Sequence, residues 1–261
     1  MTEAASGARV WYQSFVDEEE QRPYIDRLRD HLGTVADAGF DHEVVGISPP
    51  DRHFHPVTEF RIASRVIRNA LAAEERGFDA FVVGHFQEPG INECKGAVGI
   101  PVIGLGEATM LHAMTLGRKI GLVTINPIFI PWHEDQISRY GLGERVVGVR
   151  AVDTHVDDYM KAFEDEKAYD AVREQFRRQA GPLLEMGVEV IVPAGGLPML
   201  LFAKERGFSI EGATVLNGIT VAAKSAEMAI KLKNLDGTSV SRRSWFAKAS
   251  PEAIQEFLES Q

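Results

Sequence analysis

The sequence predicts an α/β protein of two pseudo-symmetric, doubly wound parallel-sheet domains with a cleft between them, and three observations predict it. Short apolar runs alternate with amphipathic helical segments, the order expected of parallel strands covered by helices on both faces. Several of these runs stop abruptly at polar or glycine residues: in the segment 77–90, Ala80 to Gly84 lead straight into His85, Phe86, Gln87 and Glu88. The chain also repeats itself. GFDAFVVGHFQEPG (77–90) lies over GVEVIVPAGGLP (187–198), which pairs Gly77 with Gly187, Asp79 with Glu189 and His85 with Gly195. Residues 10–14 match 121–125, and PVIGLGEA (101–108) matches ATVLNGIT (213–220), at closely similar offsets. So long a period indicates domain duplication rather than a solenoid. The expected domains are 1–107 with 218–261, and 108–217.

In chain order, residues 8–13 form a first strand supported by Trp11 and Tyr12. The helix 22–37 follows an acidic run, 17–20, which suits a helix N-terminus. A second strand, 42–47, leads into SPPDRHFHP, a loop set by its prolines. The helix 60–76 carries Ile62, Val66, Ile67 and Leu71 on one face. Strand three ends at His85, a helix starts near Pro89, and 102–104 is strand four. A helix over 107–116 and a strand over 119–125 follow. Pro127 and Pro131 open the next helix, which closes at Tyr140-Gly141, and 145–150 is a short strand. The acidic stretch 153–166 reads as a solvated helix entry or as a mobile flap, and it leads into a helix through Gly187. Strand 188–192, helix 197–205, strand 214–216 and helix 219–232 complete the pattern before a tail loop and a last short helix. Arg242, Arg243 and Trp245 read as surface tail, or as a contact to a partner copy in a homo-oligomer.

Composition narrows the function classes. The 261 residues are 44% hydrophobic and 25% charged, with a formal charge of -10, which argues against nucleic acid or an anionic membrane as the main partner. A small-molecule substrate is the expected partner. The single cysteine, Cys94, excludes an internal disulfide framework and a cysteine-based zinc site. No apolar signal segment is visible at the N-terminus and no run is long enough for a membrane span, so a cytoplasmic protein is expected.

In open parallel sheets the ligand crevice lies outside the carboxyl ends of the strands. Gln13, Ser14, His53, His55, His85, Phe86, Thr124, Asn126, His133, Gly195, Gly196 and Asn217 stand at or after the ends of predicted strands. With two domains facing one another, their crevices merge, and His85 stands across from Gly195.

At these residues the chain resembles the Asp/Glu/hydantoin racemase superfamily, with the hydantoin racemase branch nearest. The resemblance is best over DAFVVGHFQEPGINECKGAVGIPVIGLGEATMLHAMTLGRKIGLVT (79–124) and continues more weakly through YGLGERVVGV, VEVIVPAGG and VLNGITVAAKSAE. It implies two Rossmann-like domains with the active site between them, and cofactor-independent chemistry. It also implies a pair of cysteines, one per domain, acting as acid and base on opposite faces of a carbon acid. This sequence departs from that pattern: His85 stands at the first cysteine position and Gly195 at the second, while Cys94 falls on the following helix.

His85 is therefore the expected proton-transfer residue, because imidazole titrates near neutral pH. Glu88 either orients His85 or favours the helix N-terminus. Gly195 and Gly196 offer backbone N–H groups to an anion, or simply make a tight turn. Ser14 and Thr124 bind a carboxylate or carbonyl, or cap helices. Gln13, Phe86 and Asn217 join them in holding the substrate, and His133 is the nominee for a second acid. The reaction expected is isomerase- or racemase-like proton transfer on a small carbonyl, carboxylate or cyclic amide, without cofactor. Decarboxylation or lysis on the same scaffold is an alternative. Another is a metal hydrolase drawing on His53, His55, His85, His133 and His155, although no metal is assigned. A non-catalytic binding protein is the third.

Overall fold

A computed structural model describes residues 7–260, and the chain divides into two compact units, Met1–Gly104 with Ala222–Gln261, and Leu105–Val221. The division falls a few residues from the expected 107/108 and 217/218: a helix begins at Leu105 with the second unit, and the second boundary falls within the first turns of the helix that begins at Gly218.

The first unit holds a four-stranded sheet of order β2-β1-β3-β4, with β1 (Ala8–Gln13), β2 (Phe40–Val45), β3 (Ala80–Val83) and β4 (Val102–Gly104). All of its pairings are parallel, and Gln13 lies level with Val45 on one side and Val83 on the other. Helix α1 (Arg22–Val35) follows β1, and α2 (Pro56–Glu75) precedes β3. On α2, Ile62, Val66, Ala70 and Ala73 form one buried stripe against Trp11, Phe81 and Val83, the centre of this unit's core. Pro56 in the first turn needs no amide donor, and the cap residue His55 accepts from Val57 N at 3.2 Å through Nδ1. The short helix α3 (Ile91–Ala97) precedes β4, and Arg242 donates to Lys95 O and Val98 O at its C-terminal end. The expected surface tail is thus tied down by Arg242, whereas Trp245 is exposed.

The second unit begins with α4 (Leu105–Leu116) and β5 (Ile120–Thr124), followed by a 3₁₀ turn and α5 (Ile130–Arg139), then β6 (Val146–Ala151). Helices α6 (Val156–Ala162) and α7 (Glu166–Glu185) lead to β7 (Val190–Ala194), α8 (Gly196–Phe202), β8 (Ser209–Ile210) and β9 (Ala213–Val215). The sheet order is β6-β5-β7-β9-β8.

Three features differ from the sequence expectation. The strand expected to stop at Val192 continues through Pro193, which lies level with Val123. Ile191 O accepts from Leu216 N, so alternate residues of β7 face β9, and Pro193 faces that side beyond the last β9 pair, Ile191 with Val215. No ladder donor is needed there. The two-residue strand β8 was not expected, because so short a strand has no alternation to read. It pairs antiparallel with β9 across Glu211-Gly212, whose φ values of 50° and 87° suit a primed hairpin turn. The acidic stretch, read as a solvated helix entry or as a mobile flap, contains α6, whose Tyr159 and Ala162 are buried in the second unit's core beside Tyr169 and Phe176. Burial of a tyrosine on its inner face makes this segment a packed helix.

The last long helix, α9 (Gly218–Asp236), returns the chain to the first unit, and α10 (Pro251–Glu259) ends it. Within the first unit the buried Glu227 carboxylate lies 3.1 Å from His42 Nε2, accepts from Asp37 N at 3.0 Å, and meets Lys224 Nζ at 2.9 Å. Lys224 and Lys231 both reach Asp37, and the hydrogen bonds from these two lysines, Lys224 first, hold the Asp37 carboxyl well below the usual range. No helix among the described residues is long and apolar enough to cross a membrane.

Candidate active site

In the first sheet the candidate residues stand at the carboxyl ends of β1 and β3. Gln13, the last residue of β1, is fully buried, and its amide is spent inside the protein. Its Nε2 donates to Ser14 O (2.8 Å), Val45 O and Gly46 O (both 3.1 Å), while its Oε1 accepts from Asn69 Nδ2 (2.7 Å) and Trp11 Nε1 (3.2 Å). Gln13 therefore ties the ends of two strands to α2 and does not present an open amide. Ser14 is also buried, its N–H donating to Val45 O at 2.8 Å.

Beyond these residues the parallel register continues. Gln13 is level with Val83, and Gly84 N donates to Gln13 O at 2.9 Å, so two steps along each chain bring Phe15 beside His85 on the same face of the sheet. Their ring centroids are 4.6 Å apart with an interplanar angle of 41°. Both residues are half-buried, and Phe15 packs on the core formed with α2. Phe86 points the other way and is fully buried.

Glu88 follows in a left-handed conformation, φ 58°, which costs energy in a residue with a side chain. Its N–H donates to His85 O at 3.1 Å, which closes a turn around the histidine. Its carboxyl is buried over Gly104, the last residue of β4, where any added Cβ would collide with it. Gly104 is thus required for Glu88 to lie where it does. Cys94, one helix on, is buried, and burial pushes its thiol well above the ordinary range.

In the second unit, Thr124 ends β5 and is fully buried. Its Oγ1 lies 3.2 Å from Ala194 O and 3.1 Å from His133 Nε2, and His133 Nδ1 faces Gln136 Oε1 at 3.4 Å. Burial drops the His133 pKa to about 4 despite the opposing effect of the Gln136 acceptor, so the ring is neutral at pH 7. The expected second acid is therefore enclosed behind Thr124, with both ring nitrogens facing protein groups.

The glycine turn is half as open as expected. Gly195 N donates to Pro193 O at 2.9 Å, which removes one of the two amides assigned to an anion, and Gly196 begins α8. Asn217 acts as a cap: its Oδ1 accepts from Ile219 N (3.1 Å) and Thr220 N (3.4 Å), and its Nδ2 donates to Met199 O (3.2 Å). Asn126 likewise accepts from Ile128 N. The histidines do not assemble: among the described residues no group of three His, Cys, Asp or Glu side chains is placed to hold a metal.

Sequence reasoning missed Phe15 and Gln136. Phe15 was legible only through register, since the strand pattern itself ends at Gln13. Gln136 sits three residues from His133 on α5, a spacing that shares a helix face.

The Asp/Glu/Hydantoin racemase family profile matches residues 26–226. The chain belongs to that family. Among curated members, this racemase-family chain is 27% identical to a hydantoin racemase of Pseudomonas sp. (strain NS671) over 195 residues, 74% of this chain and 76% of the relative. It is 32% identical to a hydantoin racemase of Rhizobium meliloti over 155 residues, 59% of this chain and 61% of the relative. Among solved structures, allantoin racemase from Klebsiella pneumoniae superposes with a TM-score of 0.76 at 21% identity, covering 93% of this chain and 94% of that one. Glutamate racemase from Thermus thermophilus gives 0.60 at 16% identity, covering 97% and 92%. These likenesses give the family's fold of two α/β units and make the chain a racemase-type isomerase.

Proposed function

We propose that this chain catalyses proton transfer at a carbon next to a carbonyl in a small cyclic amide of the hydantoin type, with His85 as the group that takes and returns the proton. The observation that carries the reading is the position of His85: it is the first side chain beyond β3, half-open, in the place where the family resemblance expects a proton-transfer cysteine. A neutral imidazole nitrogen accepts the proton from carbon, the C–H electron pair moves into the carbonyl oxygen, and reprotonation reverses the flow.

The substrate class follows from what ends the strands. In the first unit the residues just past β1 and β3 include Phe15 and His85, in the second those just past β5, β7 and β9 include Ile125, Asn126, Gly196, Leu197 and Asn217, and neither group has a lysine or arginine. Such a set favours a neutral ring with amide groups over a free amino-acid carboxylate, which would call for a cation. The curated relatives are named hydantoin racemases, in agreement.

A single base acts on one face. Isomerisation on that face, decarboxylation with protonation, or elimination each need only His85, whereas inversion needs a second acid, and the nominee, His133, is fully buried. The test is solvent deuterium exchange, followed by NMR, over 5-substituted hydantoins, amino acids and substituted malonates. Exchange on a hydantoin is expected, and His85→Ala is expected to slow it by at least about 100-fold while the far-UV circular dichroism is unchanged. Undiminished exchange in His85→Ala overturns the assignment.

A further inference from the structure

We propose that Phe15 is a positioning residue for His85, its ring fixing the imidazole and stabilising the imidazolium that proton abstraction creates. This inference rests on the reading of His85 as the proton-transfer group and adds a residue that neither the sequence pattern nor the family resemblance singles out.

Register sets the contact. A parallel ladder places equivalent residues side by side on one face, and here the ladder of β1 and β3 runs on past its last formal pair to bring Phe15 next to His85. Phe15 is held from behind by the core of Trp11, Phe81 and Val83 with α2, so its position is set by packing. The imidazole then has an aromatic neighbour at 4.6 Å between centroids, inside the distance at which a ring face attracts a cation.

When His85 takes a proton from carbon, a C–H bond breaks, an N–H bond forms, and the ring becomes positive while the substrate carries the electron pair on oxygen. The Phe15 ring, tilted 41° to the imidazole and in place before the reaction begins, supplies part of the stabilisation of that positive charge. The same contact restricts rotation of the imidazole, which keeps its nitrogen aimed along one line.

Charged groups of both signs lie on the surrounding segments. Asp17 and Glu18 follow β1, Asp51 and Arg52 lie between β2 and α2, Glu59 and Arg61 are on α2, and Glu88 is on the histidine's own loop. Glu18 is engaged by Arg29 and Gly46 N, and burial, then Asp51, raises Glu59 to about 7. Removing the Phe15 ring while leaving all of these groups in place isolates what the ring contributes.

The experiment compares the unaltered chain with Phe15→Leu, Phe15→Met and Phe15→Trp. Leucine and methionine keep apolar bulk without a ring, and tryptophan keeps a ring. The His85 imidazole is titrated by NMR, its signal assigned by its loss in His85→Gln, and the pH profile of kcat/KM for hydantoin exchange is recorded. The expected result is a His85 pKa lower by about half a unit in the leucine and methionine variants and near the original in the tryptophan variant. The acidic limb of kcat/KM should move down with it, and kcat should fall about two- to five-fold at little change in KM. An unchanged His85 pKa overturns the proposal. So does a changed pKa with an unmoved profile and full kcat, which reduces Phe15 to a packing residue. Two ring-free variants guard against one of them misfolding. Failure of the underlying reading is seen separately, as undiminished exchange in His85→Gln or no exchange by the unaltered chain.

Discussion

His133 Nε2 lies 3.1 Å from Thr124 Oγ1 in an interior where both side chains are fully buried. Because burial lowers the pKa of this histidine to about 4, the unfolded chain, with an ordinary value near 6.5, binds a proton there that the folded chain does not. The associated stability is complete above about pH 6.5 and is lost as pH falls toward 4. The full span corresponds to about 3 kcal/mol. Urea denaturation of the unaltered chain and of His133→Gln at pH 7.5 and pH 5 should show a stability difference that shrinks at the lower pH. A difference that holds constant with pH would mean that His133 does not titrate in this range.

Gly104 admits the Glu88 carboxyl, since a Cβ built there would also come within 2.5 Å of Ile91 Cδ1. Gly104→Ala should therefore cost about 1–3 kcal/mol of stability by overpacking. Trimming the carboxyl in Glu88→Ala should relieve much of that cost, so the double variant should be more stable than the sum of the two single changes predicts. Additive effects in denaturant titrations would show that the two residues do not meet.

Cys94 is buried on α3 with its thiol pushed up by burial, then by Glu93, so little thiolate exists at neutral pH. A thiol-labelling reagent added to the folded protein at pH 8 should react far more slowly than with the urea-unfolded chain. Cys94→Ala should retain hydantoin exchange within about two-fold, at a cost of about 1 kcal/mol in stability. Loss of exchange on labelling, or in Cys94→Ala at full folding, would return the chemistry to sulfur.

Much of the fold was legible because its signals are local. Apolar runs such as Val190 to Val192 and Ile120 to Val123 are buried in the described sheets, and the stripe of Ile62 and Val66 on α2 faces the core as its spacing requires. The departures came where one residue's neighbours decide. Pro193 stays in a strand because the adjacent strand has already ended, and α6 is helical because Tyr159 has a core to enter.

The candidate site was less legible, for a related reason. Residue type and position identified the strand ends, but a hydroxyl, an amide or an imidazole means different things depending on its partners. Gln13 proved to be a cross-link between strand ends, Asn217 a helix cap and His133 an enclosed neutral ring, each through contacts with residues distant in sequence or on another element.

By itself, the sequence determined the alternation of strands and helices and the family, since both are written in residue order. Tertiary structure alone decided which polar atoms are already spent and which ring stands beside His85. Hydrogen-bond partners and ring contacts arise from register and packing between segments, and Phe15 meets His85 only because two parallel strands hold the same register past their ends.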